Sequence, residues 1–189
     1  MQRLRRSRIL DLGRCTSRVI VLPLSLSDIA IGTAMRIWLD ADGCPRGVTE
    51  HVLRSAVRRN IPVVQIANRS IPPHASALIT AVRVAAGFDA ADAHIAERVE
   101  AGDLVVTGDV PLAARVVAKG AVGLSPRGDV FTEENVGAKL AMRNLFQDLR
   151  AAGAVQGGPP SPGRADRQRF ADALDRILTR LEQRRTPGA

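Results

Sequence analysis

From Met35 onward, short apolar runs alternate with longer amphipathic stretches. Five of the runs have the length and near-continuous apolar character of strands covered on both faces, at 36–40, 62–67, 81–85, 104–107 and 121–124. Between them, apolar positions recur at helical spacing. Val48, Val52, Leu53, Ala56 and Val57 fall largely on one face of a helix over 46–59. Ile95, Ala96 and Val99 do so over 91–101, and Leu112, Ala113, Val116 and Val117 over 110–119. Strands alternating with helix-length crossovers predict an α/β three-layer sandwich around a mostly parallel five-stranded sheet.

Helices follow the sheet. Thr132-x-x-Asn135, with Glu133 and Glu134 in the first turn, opens one that runs to Gly153. The Gly/Pro-rich stretch 154–165 is a connector. A last amphipathic helix over 166–185 carries Phe170, Leu174, Ile177, Leu178 and Leu181 in register, to dock back on the domain or to pair with another chain. The main domain is therefore expected at 35–153. Residues 1–34 are Arg-rich with a short apolar patch, and Pro23 and Asp28 break the pattern of a secretory leader. A start at Met35 is expected, with 1–34 a non-native or disordered extension.

Composition narrows the function. Aromatic residues are 3% of the 189, with no Tyr, which argues against the stacking platforms of RRM or OB domains. The charge of +8 divides evenly: six Arg and two Asp in 1–34 supply +4, and 21 Arg/Lys against 17 Asp/Glu supply the rest. A mildly basic body permits a polyanionic partner such as RNA without requiring one. Arginine outnumbers lysine 25 to 2, a bias that a high-GC genome explains. Cys15 and Cys44 form neither a disulfide framework nor a zinc site, so a reducing cytoplasmic setting is expected. No apolar run approaches a membrane span.

The candidate chemistry lies in acids at strand ends. Asp40 and Asp42 follow the first strand, Asn68 the second, and Asp109 the fourth, while Asp92 opens the preceding helix. A strand order 3-2-1-4-5 sets strands one and four side by side, so that Asp40 and Asp109 meet in the crevice where parallel sheets bind ligands. Converging carboxylates repel unless a divalent cation such as Mg²⁺ or Mn²⁺ sits between them. Such an ion suits phosphoester hydrolysis. Each acid also has a plainer account: Asp42 and Asp109 as helix caps, Asp92 as a first-turn charge, Asp89 and Asp103 as turn residues. Asp40 has the weakest plain account, because no helix has begun there. Arg69, Arg83, Arg127 and Arg143 are candidate phosphate contacts, with Arg127 in the SPRG loop best placed. Cys44 reads as a small buried residue, since a Cys-based phosphatase needs Arg where Glu50 stands. His51, His74 and His94 have no metal-ligand spacing.

Two families match parts of this pattern. DADG resembles the opening motif of haloacid dehalogenase-like phosphatases, but no second acid lies between Pro111 and Arg115, and the only lysines are Lys119 and Lys139. The fuller resemblance is to the uncharacterised bacterial YaiI/YqxD family, through I-W-x-D-A-D-x-C-P at 37–45, V-x-x-A-N-x-S at 63–70, R-V-A-A-G-F-D-x-A-D at 83–92, GDLVVTGDVPLA at 102–113 and PRG at 126–128. Gly43 stands where that family commonly carries Ala. The family's fold is similar to PIN-like domains, many of them metal-dependent ribonucleases. That likeness implies Asp40, Asp92 and Asp109 as catalytic metal ligands; beside them, Asp42 is expected to bind metal through water or to cap, and Asn68 to orient substrate or water. From their positions near the cleft, Arg69 and Arg127 are the expected substrate contacts. The glutamate that PIN domains usually carry on a middle helix finds no match. A nuclease, a phosphatase and a non-catalytic RNA-binding or interaction module are the readings left open.

Overall fold

The computed structural model describes residues 35–85, 89–155, 157 and 162–185, so the expectation for 1–34 and part of the connector lie outside the described residues. Its strands are β1 (Ile37–Asp40), β2 (Val63–Ala67), β3 (Ile79–Arg83), β4 (Leu104–Val106), β5 (Val122–Leu124) and β6 (Val130–Phe131). Its helices are α1 (Arg46–Arg59), α2 (Ala90–Arg98), α3 (Val110–Val117), α4 (Glu133–Ala151) and α5 (Arg164–Arg185). The strands form one sheet in the order β3-β2-β1-β4-β5-β6, parallel except for the last pair. The first five strands take the anticipated order, and the chain reverses its direction across the sheet between β1 and β4.

Two strands differ from expectation. The third begins two residues early, because Ile79, its buried member, pairs with Val63, while the exposed Ala81 and Arg83 do not contribute core side chains. The sheet also has six strands rather than five. A two-residue β6 folds back antiparallel on β5, with Gly123 opposite Phe131. Ser125 makes that turn, its hydroxyl oxygen accepting the Arg127 and Asp129 N–H groups and its O–H donating to the Asp129 carboxylate. Gly128 adopts φ +89°, and a Cβ there would lie 2.6 Å from the Arg169 carbonyl carbon. Only glycine lets this turn pass so close to α5.

Side chains alternate across the strands and separate two cores. Ile37, Leu39, Leu104, Val106 and Leu124 pack under α1 and α5, where Phe170, Leu174 and Leu178 are buried. Trp38, Val64, Ile66 and Val105 pack under α2 and α3 with Ile95, Leu112 and Val116. The apolar face of α5 thus docks on its own domain. Arg59 of α1 grips α5 through Glu182 at 2.6 Å, Thr179 at 3.2 Å and Asp175. α4 packs its first turns beside α3 and β6, through Val136 against Ala113, Val117 and Phe131, yet none of its residues is fully buried. No helix among the described residues is long and apolar enough to cross a membrane.

One acid is structural. The buried Asp103 carboxylate accepts the Arg36 N–H at 2.9 Å, the Trp38 indole N–H at 2.8 Å and the Glu100 N–H at 3.1 Å. It thereby ties the entry of β1 to the turn before β4. Asp103→Ala leaves a buried indole donor unpaired and is expected to lower the unfolding free energy by about 3 kcal/mol in urea titration. A loss below about 1 kcal/mol would show that the staple contributes no more than an ordinary surface bond.

Candidate functional site

Register places the carboxylates. Asp40 follows Trp38 by two residues and so shares the α2/α3 side of the sheet. Leu39 pairs with Val106 across β1 and β4, so the next residues, Asp40 and Thr107, emerge together at the carboxyl end. Asp40 is 6% exposed. Its Oδ2 accepts the Thr107 hydroxyl at 3.1 Å and its Oδ1 the Gly43 N–H at 3.0 Å. The Thr107 hydroxyl oxygen in turn accepts the Asp109 N–H at 3.0 Å. One fully buried threonine therefore joins the loops that carry the first and last candidate acids. A Cβ at Gly43 would collide with Asp40 Oδ2, so in this chain the carboxylate occupies the space that an alanine methyl would take.

Asp92 reaches the same crevice from the first turn of α2. Its carboxyl lies within hydrogen-bonding reach of Asp109. Partial burial foremost, then the shared hydrogen bond and charge of Asp109, and then the charges of Asp40 and Asp89 push its pKa up to about 7. When protonated, Asp92 donates to Asp109. Asp109 occupies the N-cap position of α3, but its side chain caps no helical N–H, so capping does not account for it. The structure thus brings Asp92 and Asp109 together, with Asp40 near enough for its charge to be felt. Among the described residues, no group of three or more His, Cys, Asp or Glu side chains is gathered closely enough to hold a metal ion.

Asp42 has a different setting. Its two oxygens accept the Asn68 backbone N–H at 2.6 Å and the Arg69 Nε–H at 3.1 Å, and Arg69 also donates to the Ala41 carbonyl at 3.3 Å. This clamp joins the loops after β1 and β2, and Asn68 takes part through its backbone. α1 begins at Arg46 with Pro45 in the N-cap position and no side-chain cap, so the capping account of Asp42 is set aside. Arg127, across the crevice on the β5–β6 turn, lies 3.7 Å from Asp166 of α5. Cys44 is buried, 3.6 Å from the Val106 carbonyl, and burial followed by the Asp40 charge pushes its thiol pKa upward, away from nucleophilic use.

Thr107 escaped the sequence reasoning, and Gly43 was marked only as a departure from the family's usual Ala. A signal for Thr107 existed: a hydroxyl closing the otherwise apolar strand in LVVTGD, at the position where strand register meets Asp40. Nothing in the spacing marked Gly43, whose importance rests on where the Asp40 side chain turns.

All seven candidate residues fall within 38–180, the span matched by the sequence profile of a family described as "Uncharacterized BCR, YaiI/YqxD family". The chain belongs to the YaiI/YqxD family. Its relatives include a UPF0178 protein of Trichlorobacter lovleyi, 55% identical over 147 residues that make up 78% of this chain and 96% of that protein. A UPF0178 protein of Geobacter sulfurreducens is 53% identical over 151 residues, 79% of this chain and 100% of its own length. One from Myxococcus xanthus is 50% identical over 147 residues, 78% and 96% respectively. No solved structure matches.

The crowded pair gives a pH signature in this YaiI/YqxD member. The native pKa of Asp92, about 7, exceeds its ordinary value of 3.8, so the folded state holds an extra proton between those values. The stability this proton confers is present at the acid end and is lost as pH rises toward 7. In metal-free buffer, carboxyl ¹³C NMR should show Asp92 titrating near 7, and Asp109→Asn should move the midpoint down. Asp92→Asn should flatten the decline of stability across that window. A wild-type midpoint below about 5 would contradict the crowding.

Proposed function

We propose that this protein is a divalent-metal-dependent phosphodiesterase acting on RNA in preference to DNA, within the cytoplasm. The observation that carries the reading is the Asp92–Asp109 carboxyl pair, beside the buried Asp40, at the carboxyl ends of β1 and β4. This is the switch point of the sheet, where ligands of parallel α/β folds bind. Two carboxyl groups in hydrogen-bonding reach require a shared proton or a cation. The donor set fits Mg²⁺ or Mn²⁺, which take hard oxygen ligands and commonly use one or two carboxylates completed by waters and substrate phosphate. Asp92 and Asp109 would hold the ion, with Asp40 oriented toward it by Thr107 and Gly43. Such an ion lowers the pKa of a bound water and offsets charge on a phosphodiester.

The chain's own groups supply the rest. Without an ion, a proton shared by Asp92 and Asp109 offsets their crowded charge, and a bound cation would take its place. Arg69, fixed by Asp42, and Arg127, on the opposite side, would face substrate phosphates, and the exposed Asn68 would orient substrate. RNA is the preferred substrate class because of the resemblance to PIN-like ribonucleases. In a phosphatase of the haloacid dehalogenase type, Asp42 would be the acid/base; its engagement by Arg69 and the Asn68 N–H favours the nuclease.

Calorimetric titration of the full chain with Mn²⁺ tests the reading. The wild type should bind, and Asp40→Asn/Asp109→Asn should abolish binding and lower the cleavage of a single-stranded RNA by roughly 100-fold or more. EDTA should halt cleavage reversibly. Asp42→Ala should retain cleavage within about tenfold of wild type, because a positioning contact is lost rather than a ligand. No Mn²⁺ binding at millimolar ion would remove the hydrolase from consideration.

A further inference from the structure

A groove of about 490 Å³ begins at Gly43 and Gly108, the tips of the loops that carry Asp40 and Asp109, and runs outward between the SPRG turn and α4. Its outer wall is formed by Lys139, Met142, Arg143 and Phe146. Met142 is 54% exposed and Phe146 43%. Among the described residues, Trp38, Phe131 and Phe170 are buried in the core, so of the Trp and Phe rings Phe146 is the one presented to solvent. Arg143 hydrogen-bonds the neutral amides of Asn144 and Gln147 rather than a carboxylate. Lys139 reaches Asp129 at 3.4 Å and lies over the Phe131 ring.

We propose that this groove binds single-stranded RNA flanking the scissile phosphate, with a base stacked on Phe146 and Met142 and a backbone phosphate on Arg143. The inference rests on the hydrolase reading for the direction of the strand. The chemistry is that of single-strand recognition: a cation for each phosphate and an apolar face that accepts any base. A duplex keeps its bases stacked internally and cannot offer one to Phe146. The groove's continuity with the carboxylate loops lets one strand engage both. A second copy of the chain fits this face less well. An antiparallel two-fold pairing of α4 brings the same flank of each helix together, and Lys139, Arg143 and Arg150 share one flank at i, i+4 and i+11. Like charges would then meet.

The test is the binding of a short fluorescein-labelled single-stranded RNA to the full chain in EDTA, where hydrolysis is silent. The wild type should bind with an affinity that falls as salt rises. Arg143→Glu and Phe146→Ala should each weaken binding by about tenfold or more. The same sequence annealed as a duplex should bind more weakly than the single strand. Both side chains are exposed, so the melting temperature of each variant should stay within about 2 °C of wild type. Wild-type affinity in both variants, or no RNA binding at all, would overturn the proposal. So would a concentration-dependent dimer in sedimentation that Phe146→Ala dissolves in the absence of RNA binding. The assay contains no metal, which separates the two readings. Variant-sensitive RNA binding without Mn²⁺ binding sustains the groove and removes the nuclease, while Mn²⁺ binding with variant-insensitive RNA binding does the reverse.

Discussion

The parallel pairing of β1 with β4 is the constraint from which the candidate site follows. At its entry, Asp103 draws the Arg36 N–H and the Trp38 indole toward the turn before β4. At its exit, Thr107 bonds Asp40 and receives the Asp109 N–H. Between these polar contacts the two strands are wholly buried and apolar. A slip of one residue would turn Asp40 toward the α1/α5 core and Leu39 toward the crevice, so the register that buries the apolar residues also fixes the carboxylate. Stability and site geometry are here two results of one alignment.

Much of this is legible in the chain itself. The continuous apolar runs at β1, β2, β4 and β5 and the helical spacing through α1 and α3 give the fold class. The order 3-2-1-4-5 is the arrangement that sets Asp40 beside Asp109, and the sheet adopts it. The acids at strand ends then pointed to the crevice. β3 was displaced because its side chains are mostly exposed and its position is set by backbone pairing from Ile79. β6 was missed because two residues carry no period. The engagement of Asp42 by Arg69 spans 27 positions and two loops, a distance no local pattern reports. Thr107 and Gly43 depend on register and on the turn of one side chain, which appear only when the strands are assembled.

The acids of the chain are sorted by their surroundings more than by their sequence neighbours. Asp103 has three donors and no nearby carboxylate bonded to it, and acts as a structural anchor. Asp42 has an arginine and a backbone amide, and holds two loops together. Asp40 has two donors at the mouth of the crevice. Asp92 is partly buried and has another acid for its partner, and its proton affinity rises accordingly. Of the four, Asp92 is the one whose environment leaves its charge uncompensated within the fold, and such groups concentrate where chemistry is done.

The docking of α5 has a consequence for the order in which the molecule can be completed. Phe170, Leu174 and Leu178 cover the same side of the sheet as α1, yet they arrive in α5, after every other described element. While the polypeptide is still emerging from the ribosome, Ile37, Leu39, Leu104 and Leu124 can be shielded on that side by α1 alone. The opposite side, closed by α2 and α3, is finished some fifty residues earlier in synthesis, counting from the end of α3 at Val117 to Phe170. One half of the core can thus mature on the nascent chain, whereas the other awaits its final helix and stays open to chaperones until then.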